Sequence, residues 1–316
     1  MKTYYKGRDV LVTGAGGFLG AALVRRLADL GARVAALHRP GSDLGRLDGI
    51  PTSIRRVPVD LVDTDDLKRW TRTHPPRVVF HVAAYGVDPR DQNGDRAFQS
   101  NIRGFVSLID ALGGLGVEAF VNTGTCSEYR GGVARPLAET DPIEPRGIYA
   151  ETKAAAVRMG VMLARQHGWP IVTLRPFTFY GPRERPDRLI PFAIRSILRS
   201  EEIRMTGGKQ ERDFIHVDDV VEAYLQAGRT PVAAGEIFNI GSGRATTVRA
   251  AVERIRDLAG SSAVLKLGAI PYRPNELWHL CADIGEARKR LKWTPKIGLE
   301  EGLRRTLEWE RSMTRS

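Results

Sequence analysis

The chain has 316 residues, 42% hydrophobic and 27% charged, which excludes global disorder and leaves room for about two domains. No apolar run approaches the ~18–20 residues that span a bilayer, the first residues hold no signal-peptide core, and two cysteines, Cys126 and Cys281, are too few for a disulfide scaffold. A cytoplasmic protein in a reducing compartment, with no membrane partner, is therefore expected. Lys and Arg number 48 against 37 Asp and Glu, a net charge of +11 spread over the whole length and mixed with acids. That spread speaks against a nucleic-acid stripe; an Arg-rich solvated surface and a cleft for small anionic ligands both remain open.

Asp9-Val10-Leu11-Val12-Thr13 is an apolar run stopped by glycines and predicts the first strand. Helical spacing from Phe18 to Leu30, closed by Gly31, predicts the first helix. Further strands are expected at Arg33–His38, Ile54–Pro58, Val78–Val82, Ala119–Thr123 and Ile171–Leu174, and helices at Asp63–Thr73, Asp95–Leu115 and Tyr149–His167. Continuous apolar strands alternating with amphipathic helices imply an α/β fold with a Rossmann-type doubly wound parallel sheet. After about Arg175 the regularity weakens. Helices near Ile190–Ser200, Asp218–Gly228, Val248–Ala259 and Leu299–Arg311, joined irregularly, predict a smaller C-terminal substrate-binding lobe.

Gly14-Ala15-Gly16-Gly17-Phe18-Leu19-Gly20 falls between the first strand and the first helix. Glycines there let the backbone approach a pyrophosphate, and the helix N-terminus offers free N–H groups and a partial positive charge. A dinucleotide site is expected at Gly14, Gly17, Phe18, Leu19 and Gly20. Farther on, Tyr149-Ala150-Glu151-Thr152-Lys153 puts a phenol and an ammonium four residues apart, on one helix face. A phenol with a pKa near ~10 is a poor base at neutral pH. A nearby cation favours the phenolate, so Tyr149 and Lys153 suit proton transfer to and from a hydroxyl.

These segments resemble the extended short-chain dehydrogenase/reductase superfamily, in its NAD(P)-dependent epimerase/dehydratase group that acts on nucleotide sugars. The spacing Gly14-x-x-Gly17-x-x-Gly20 carries the resemblance first, and it extends over residues 9–311. Members specific for NAD carry an acid after the second strand. Here His38 and Arg39 stand there, followed by Ser42, and the resemblance implies NADP(H) as preferred cofactor with NAD(H) possible. Asp60 and Leu61 match an adenine-contacting turn, and His81-Val82-Ala83-Ala84 matches a turn beside the cofactor; His81 and Asn101 are read as structural. Aligning on Tyr129 selects Thr125 as the catalytic hydroxyl, with Thr123 as fallback and Ser127 assisting.

Related 4,6-dehydratases carry acids directly after that Thr. This chain has Cys126 and Ser127, and Glu128 comes one residue too late, so water elimination is not expected. In the second half, Arg175–Pro182 resembles an R-P-x-N-x-Y-G-P segment with Thr178 for the Asn, and Arg188 and Leu189 fall where the base is held. Arg212, in R-D-F-I-H-V, and Arg273, in Arg273-Pro274-Asn275-Glu276 shortly before a helix expected at Ala282–Asp283, match two pyrophosphate-binding arginines. Asn239–Gly243 and Leu291–Pro295 match as well. The implied organisation is residues 1–177 with 215–242 for the cofactor and 178–214 with 243–316 for a nucleoside-diphosphate sugar. The implied assembly is a homodimer built on the helices at 95–115 and 149–167. The first expectation is a 4-ketoreductase of an NDP-4-keto-6-deoxyhexose, and the alternative is an NDP-sugar 4-epimerase; a small-ketone reductase and a non-catalytic cofactor sensor rank lower. No metal site is expected.

Overall fold

The apolar runs of the first half become six parallel strands: β1 (Asp9–Thr13), β2 (Arg33–His38), β3 (Arg55–Pro58), β4 (Val78–His81), β5 (Ala119–Thr123) and β6 (Ile171–Pro176). The computed structural model describes residues 1–50, 54–88, 90–231, 234–273 and 276–314. Between the strands lie α1 (Lys2–Tyr5), α2 (Phe18–Asp29), α3 (Thr64–Thr73), α4 (Gly94–Phe98), α5 (Gly104–Leu112) and α6 (Ile148–His167). Capping residues fix the start of α3 and the end of α6. Asp63 accepts the Asp66 N–H at the start of α3. Gly168 ends α6 in the left-handed conformation that glycine adopts at least cost.

The helix expected at 95–115 is instead broken. Gln99–Arg103 forms a π-turn between α4 and α5, and α5 stops at Leu112 before the Gly113-Gly114 pair. Phe98 and Val106 on this helix run and Met162 on α6 are exposed apolar residues on the elements expected to form a dimer face.

Beyond Tyr129 and α6 come β7 (Thr178–Tyr180), α7 (Leu189–Leu198), β8 (Ile203–Met205), β9 (Glu211–His216), α8 (Val217–Ala227), β10 (Ile237–Ile240), β11 (Ala245–Thr247), α9 (Val248–Ala259), β12 (Leu265–Leu267), β13 (His279–Leu280) and α10 (Leu299–Thr314). Strand β10 rejoins the first sheet, whose order is β10-β6-β5-β4-β1-β2-β3 with every pairing parallel. Apolar clusters cover both faces: Val10, Val12 and Val34 pack with α2 and α8, whereas Leu11, Leu37 and Val79 pack with α3 and α5. Alternate side chains of one strand thus enter opposite cores.

The second half holds more sheet than its sequence suggests. Strand β9 pairs with β7, β11 and β13, and β8 pairs with β12. Two to six residues are too few for these strands to declare a period. A third apolar cluster joins Tyr180, Ile190, Ile194, Phe214, Val252 and Leu303. The helix expected to open at Ala282–Asp283 starts later, because Ala282 is held in a bridge to Leu137 and the helical turn begins at Gly285. Pro274 and Asn275 lie outside the described residues. No described helix is long and apolar enough to cross a membrane.

Candidate active site

Parallel register brings the carboxyl ends of β1, β4 and β5 to one edge, where α/β folds place their ligands. From β1 the chain turns at Gly14 with φ of +65°, and a Cβ there would lie 2.7 Å from Ala83 Cα. A Cβ on Gly20 would lie 2.2 Å from the Gly14 carbonyl oxygen. Only glycine fits either place. Gly17 is the N-cap of α2 and no side chain caps that end, so the first N–H groups of the helix stay available to an anion. Thr13 and His81 meet side by side, with Oγ1 to Nδ1 at 2.9 Å, and Thr13 Oγ1 accepts the Ala83 N–H. Burial pushes His81 down to about 3 and keeps its ring neutral between Phe105 and Phe120.

The strand order sets β2 beside β1. His38 closes β2, its Nδ1 faces the Arg39 carbonyl, and the Ser42 N–H donates to that carbonyl to make a tight turn. Arg39 is exposed on this turn and Ser42 is half-buried. Asp60 folds back onto the Val62 N–H after β3, and Leu61 packs under Gly104. Ala83 and Ala84 follow β4, and Ala84 is exposed. A residue overlooked in the sequence completes this end: Arg46 donates to the Arg183 carbonyl at 2.8 Å and reaches the Gly16 carbonyl at 3.5 Å.

Beyond β5 the backbone turns through Thr125, whose side chain comes near the Tyr149 phenol and acts to lower it. Thr123, the fallback, donates to the His81 carbonyl and accepts from Tyr224, so its hydroxyl is spent in the core. Asn101, inside the π-turn, accepts the Tyr85 N–H and donates to Tyr85 O and Thr152 Oγ1. It thereby ties the turn after β4 to α6 and holds α6 in place. Tyr149 and Lys153 both stand on α6, and Lys153 is 1% exposed. Burial pushes Tyr149 up to about 12 and the Glu128 carboxylate adds to the rise, against Thr125 and the Arg188 guanidinium. Burial brings Lys153 down to about 8, opposed by Glu128. The Cys126 thiol is driven up to about 12 by burial and holds no thiolate at neutral pH.

Ser127, Tyr129, Arg146, Gly147 and Leu277 line a cavity of about 220 Å³ beside Thr125. Arg212 reaches its rim, donating to the Leu277 carbonyl at 2.5 Å and pairing with Glu276. The Glu276 N–H donates to the Arg273 carbonyl, and Arg273 itself is exposed. Arg188 precedes α7, lies within the field of Tyr149 and pairs with Glu184 at 3.7 Å; half-buried Leu189 opens α7. Thr178 stands on β7 opposite Phe214 of β9. A profile of the NAD dependent epimerase/dehydratase family matches residues 10–241.

The chain belongs to this family and is an enzyme of it. The UDP-glucose 4-epimerase of Mycolicibacterium smegmatis is 31% identical over 314 residues, covering 96% of this chain and 98% of that protein. The UDP-glucose 4-epimerase of Thermotoga maritima, solved with UDP-glucose, has a TM-score of 0.89 at 30% identity and covers 96% of this chain and 99% of its own. That of Thermus thermophilus, solved with NAD, has a TM-score of 0.86 at 28% identity, with 96% and 98% covered.

Besides Arg46, two features near this site escaped the sequence reading. The first is Glu128, fully buried, with its carboxylate taken up by the Thr125 N–H and Arg175. Its only advance signal is the Thr125-x-x-Glu128 spacing of a capping box, which the structure forms in full. The second is an ionic bridge: Arg90 and Arg185 each pair with both Asp88 and Asp187, tying the turn after β4 to the segment before α7. Its members lie nearly a hundred residues apart in the chain, and no local pattern announces them.

Proposed function

We propose that this enzyme is a 4-epimerase of a nucleoside-diphosphate sugar. The observation that carries the reading is the hydroxyl–phenol–ammonium group of Thr125, Tyr149 and Lys153 beside a glycine cradle. The full-length likeness to UDP-glucose 4-epimerases supports it over the ketoreductase expected first. The N–H groups that open α2 would hold a nicotinamide dinucleotide by its pyrophosphate; when bound, that group accepts a hydride and returns it. Tyr149 takes the proton from the sugar C4 hydroxyl and later gives it back. Thr125 orients that oxygen, and Lys153 supplies the positive charge that favours the phenolate. Arg212, released from Glu276, would pair with the sugar diphosphate together with Arg273. Water elimination finds no acid, since Cys126 is a buried neutral thiol and Glu128 faces the interior.

A second reading, reduction of a 4-keto sugar with NADPH, keeps one supporting observation: no carboxylate closes β2, where His38 and exposed Arg39 stand. One experiment separates the two. The purified enzyme is incubated with nucleoside-diphosphate hexoses and 4-keto-6-deoxyhexoses, with and without NADPH. Epimer formation without net cofactor consumption is expected, and Tyr149→Phe should lower it by ~10² or more. NADPH consumed in step with product would establish the reductase instead.

A further inference from the structure

The capping box around Thr125 is connected to a buried ion pair that no step above uses. Glu128 Oε1 accepts the Thr125 N–H at 2.8 Å, and Thr125 Oγ1 accepts the Ser127 N–H at 3.2 Å. Glu128 Oε2 accepts from Arg175 Nε at 2.8 Å, and the two side chains are 0% and 4% exposed. Arg175 comes from β6, and register sets it against Asn239 of β10. Its Nη1 donates to the Tyr129 hydroxyl at 3.1 Å, and that hydroxyl donates to Asn239 Oδ1 at 2.7 Å. The guanidinium also lies 4.9 Å from the centre of the Tyr129 ring. Gly124 leaves the space: a Cβ there would meet Glu128 Oε1 at 2.7 Å and Arg175 Cγ at 2.9 Å.

A buried ion pair is a poor device for stability, because removing both charges from water costs about what their attraction returns. Its value lies in geometry. Thr125 leaves β5 in an extended conformation, with φ of −157°, at a bend where no strand partner defines its position. The carboxylate supplies that partner, and two neighbouring strands hold the carboxylate. We propose that Glu128, charge-balanced by Arg175, is a positioning residue that sets Thr125 so that its hydroxyl meets the Tyr149 phenol. The proposal rests on the catalytic reading above and adds to it. The same carboxylate raises Lys153, the cation of the pair, which burial alone would lower further.

The test replaces the pair by apolar groups, Glu128→Leu with Arg175→Met, since filling a buried pair with apolar volume tends to preserve the fold. Thermal unfolding and circular dichroism verify the fold, and Glu128→Met with Arg175→Leu, a second apolar pair that likewise removes the acceptor, serves if the first does not fold. We expect kcat for epimerisation to fall roughly ten- to a hundredfold, the scale of a misplaced reacting group. KM and cofactor affinity should stay within about twofold. In a Thr125→Val background the same replacement should cost nothing more, because Glu128 acts through Thr125. Full kcat in the folded variant, or losses that multiply with Thr125→Val, would overturn the proposal.

A wild-type enzyme inactive on every sugar would overturn the functional reading instead. The positioning role is then read from the ultraviolet titration of Tyr149, isolated by difference against Tyr149→Phe. Groups facing the phenol are Thr125, Cys126, Glu128, Arg188 and Tyr224. Thr125→Val should raise the phenol. The pair replacement also removes the Glu128 charge, which itself raises the phenol, so its shift should be more upward with Thr125 present than in the Thr125→Val background, where only the charge effect is left. The same shift in both backgrounds would refute the role.

Discussion

Lys153 shows what a single buried charge costs and what it does. Its ordinary value of 10.5 falls to about 8 because burial penalises the ammonium. At neutral pH it is still charged, and the folded state carries that cost. Unfolding restores the ordinary value, so the unfolded chain binds more protons than the folded one between about pH 8 and 10.5, and stability rises through that window. Lys153→Met should therefore stabilise the fold below pH 8, by up to ~3 kcal/mol, and destroy turnover. The gain should shrink as the pH rises through the window. A wild-type protein as stable as the variant at pH 7, in matched melts, would show that the ammonium is solvated. The Tyr-Lys pair and the glycines were legible in the sequence because each follows from a spacing within one helix or one turn. The direction of the Tyr149 shift was not, since it depends on burial by parts of the chain far from it.

Among the elements, β2 and the turn after it carry the expectation about the cofactor. The strand was legible to the residue, and so was the lack of an acid at its end. What the turn does with Arg39 follows from tertiary placement: the guanidinium is exposed, while Arg46 is the one drawn against the Gly16 carbonyl. A 2′-phosphate paired by Arg39 should give NADPH roughly a tenfold advantage over NADH, as a charge-assisted contact is worth ~1.5–3 kcal/mol. Arg39→Ala should erase most of that preference in fluorescence titrations. Equal binding in the wild type would assign the site to NAD, the cofactor found with the Thermus thermophilus enzyme. Short strands were the elements that eluded the sequence, and β7 through β13 are set by partners rather than by their own pattern.

Across the whole molecule, the proposed diphosphate clamp tests how the second half serves the first. Arg212 arrives on β9 and pairs with Glu276, whose N–H donates to the carbonyl of Arg273, sixty-one positions after Arg212 in the sequence. Removal of either arginine should weaken nucleoside-diphosphate binding by ~1.5–3 kcal/mol. Cofactor affinity should hardly move, because the glycine cradle lies on β1 and α2. Calorimetry of Arg212→Ala and Arg273→Ala with both ligands checks this. Intact diphosphate binding in both variants would make the small-ketone reductase the better reading.

The return of β10 to the edge of the first sheet has a consequence for how the gene product can be divided. Residues 1–177 look like a self-sufficient half when read in order, yet β6 becomes an inner strand of their sheet only because β10 pairs with it. Without that strand, β6 would present a row of unpaired N–H and C=O groups to solvent, a template for pairing with any passing strand. It would also lose Asn239, which holds the Tyr129 hydroxyl beneath the catalytic turn. The first half is thus completed by residues translated some sixty positions after it appears finished, and a ribosome-bound chain stopped short of Ile240 would expose as its border β6, a strand buried along its whole length in the full fold.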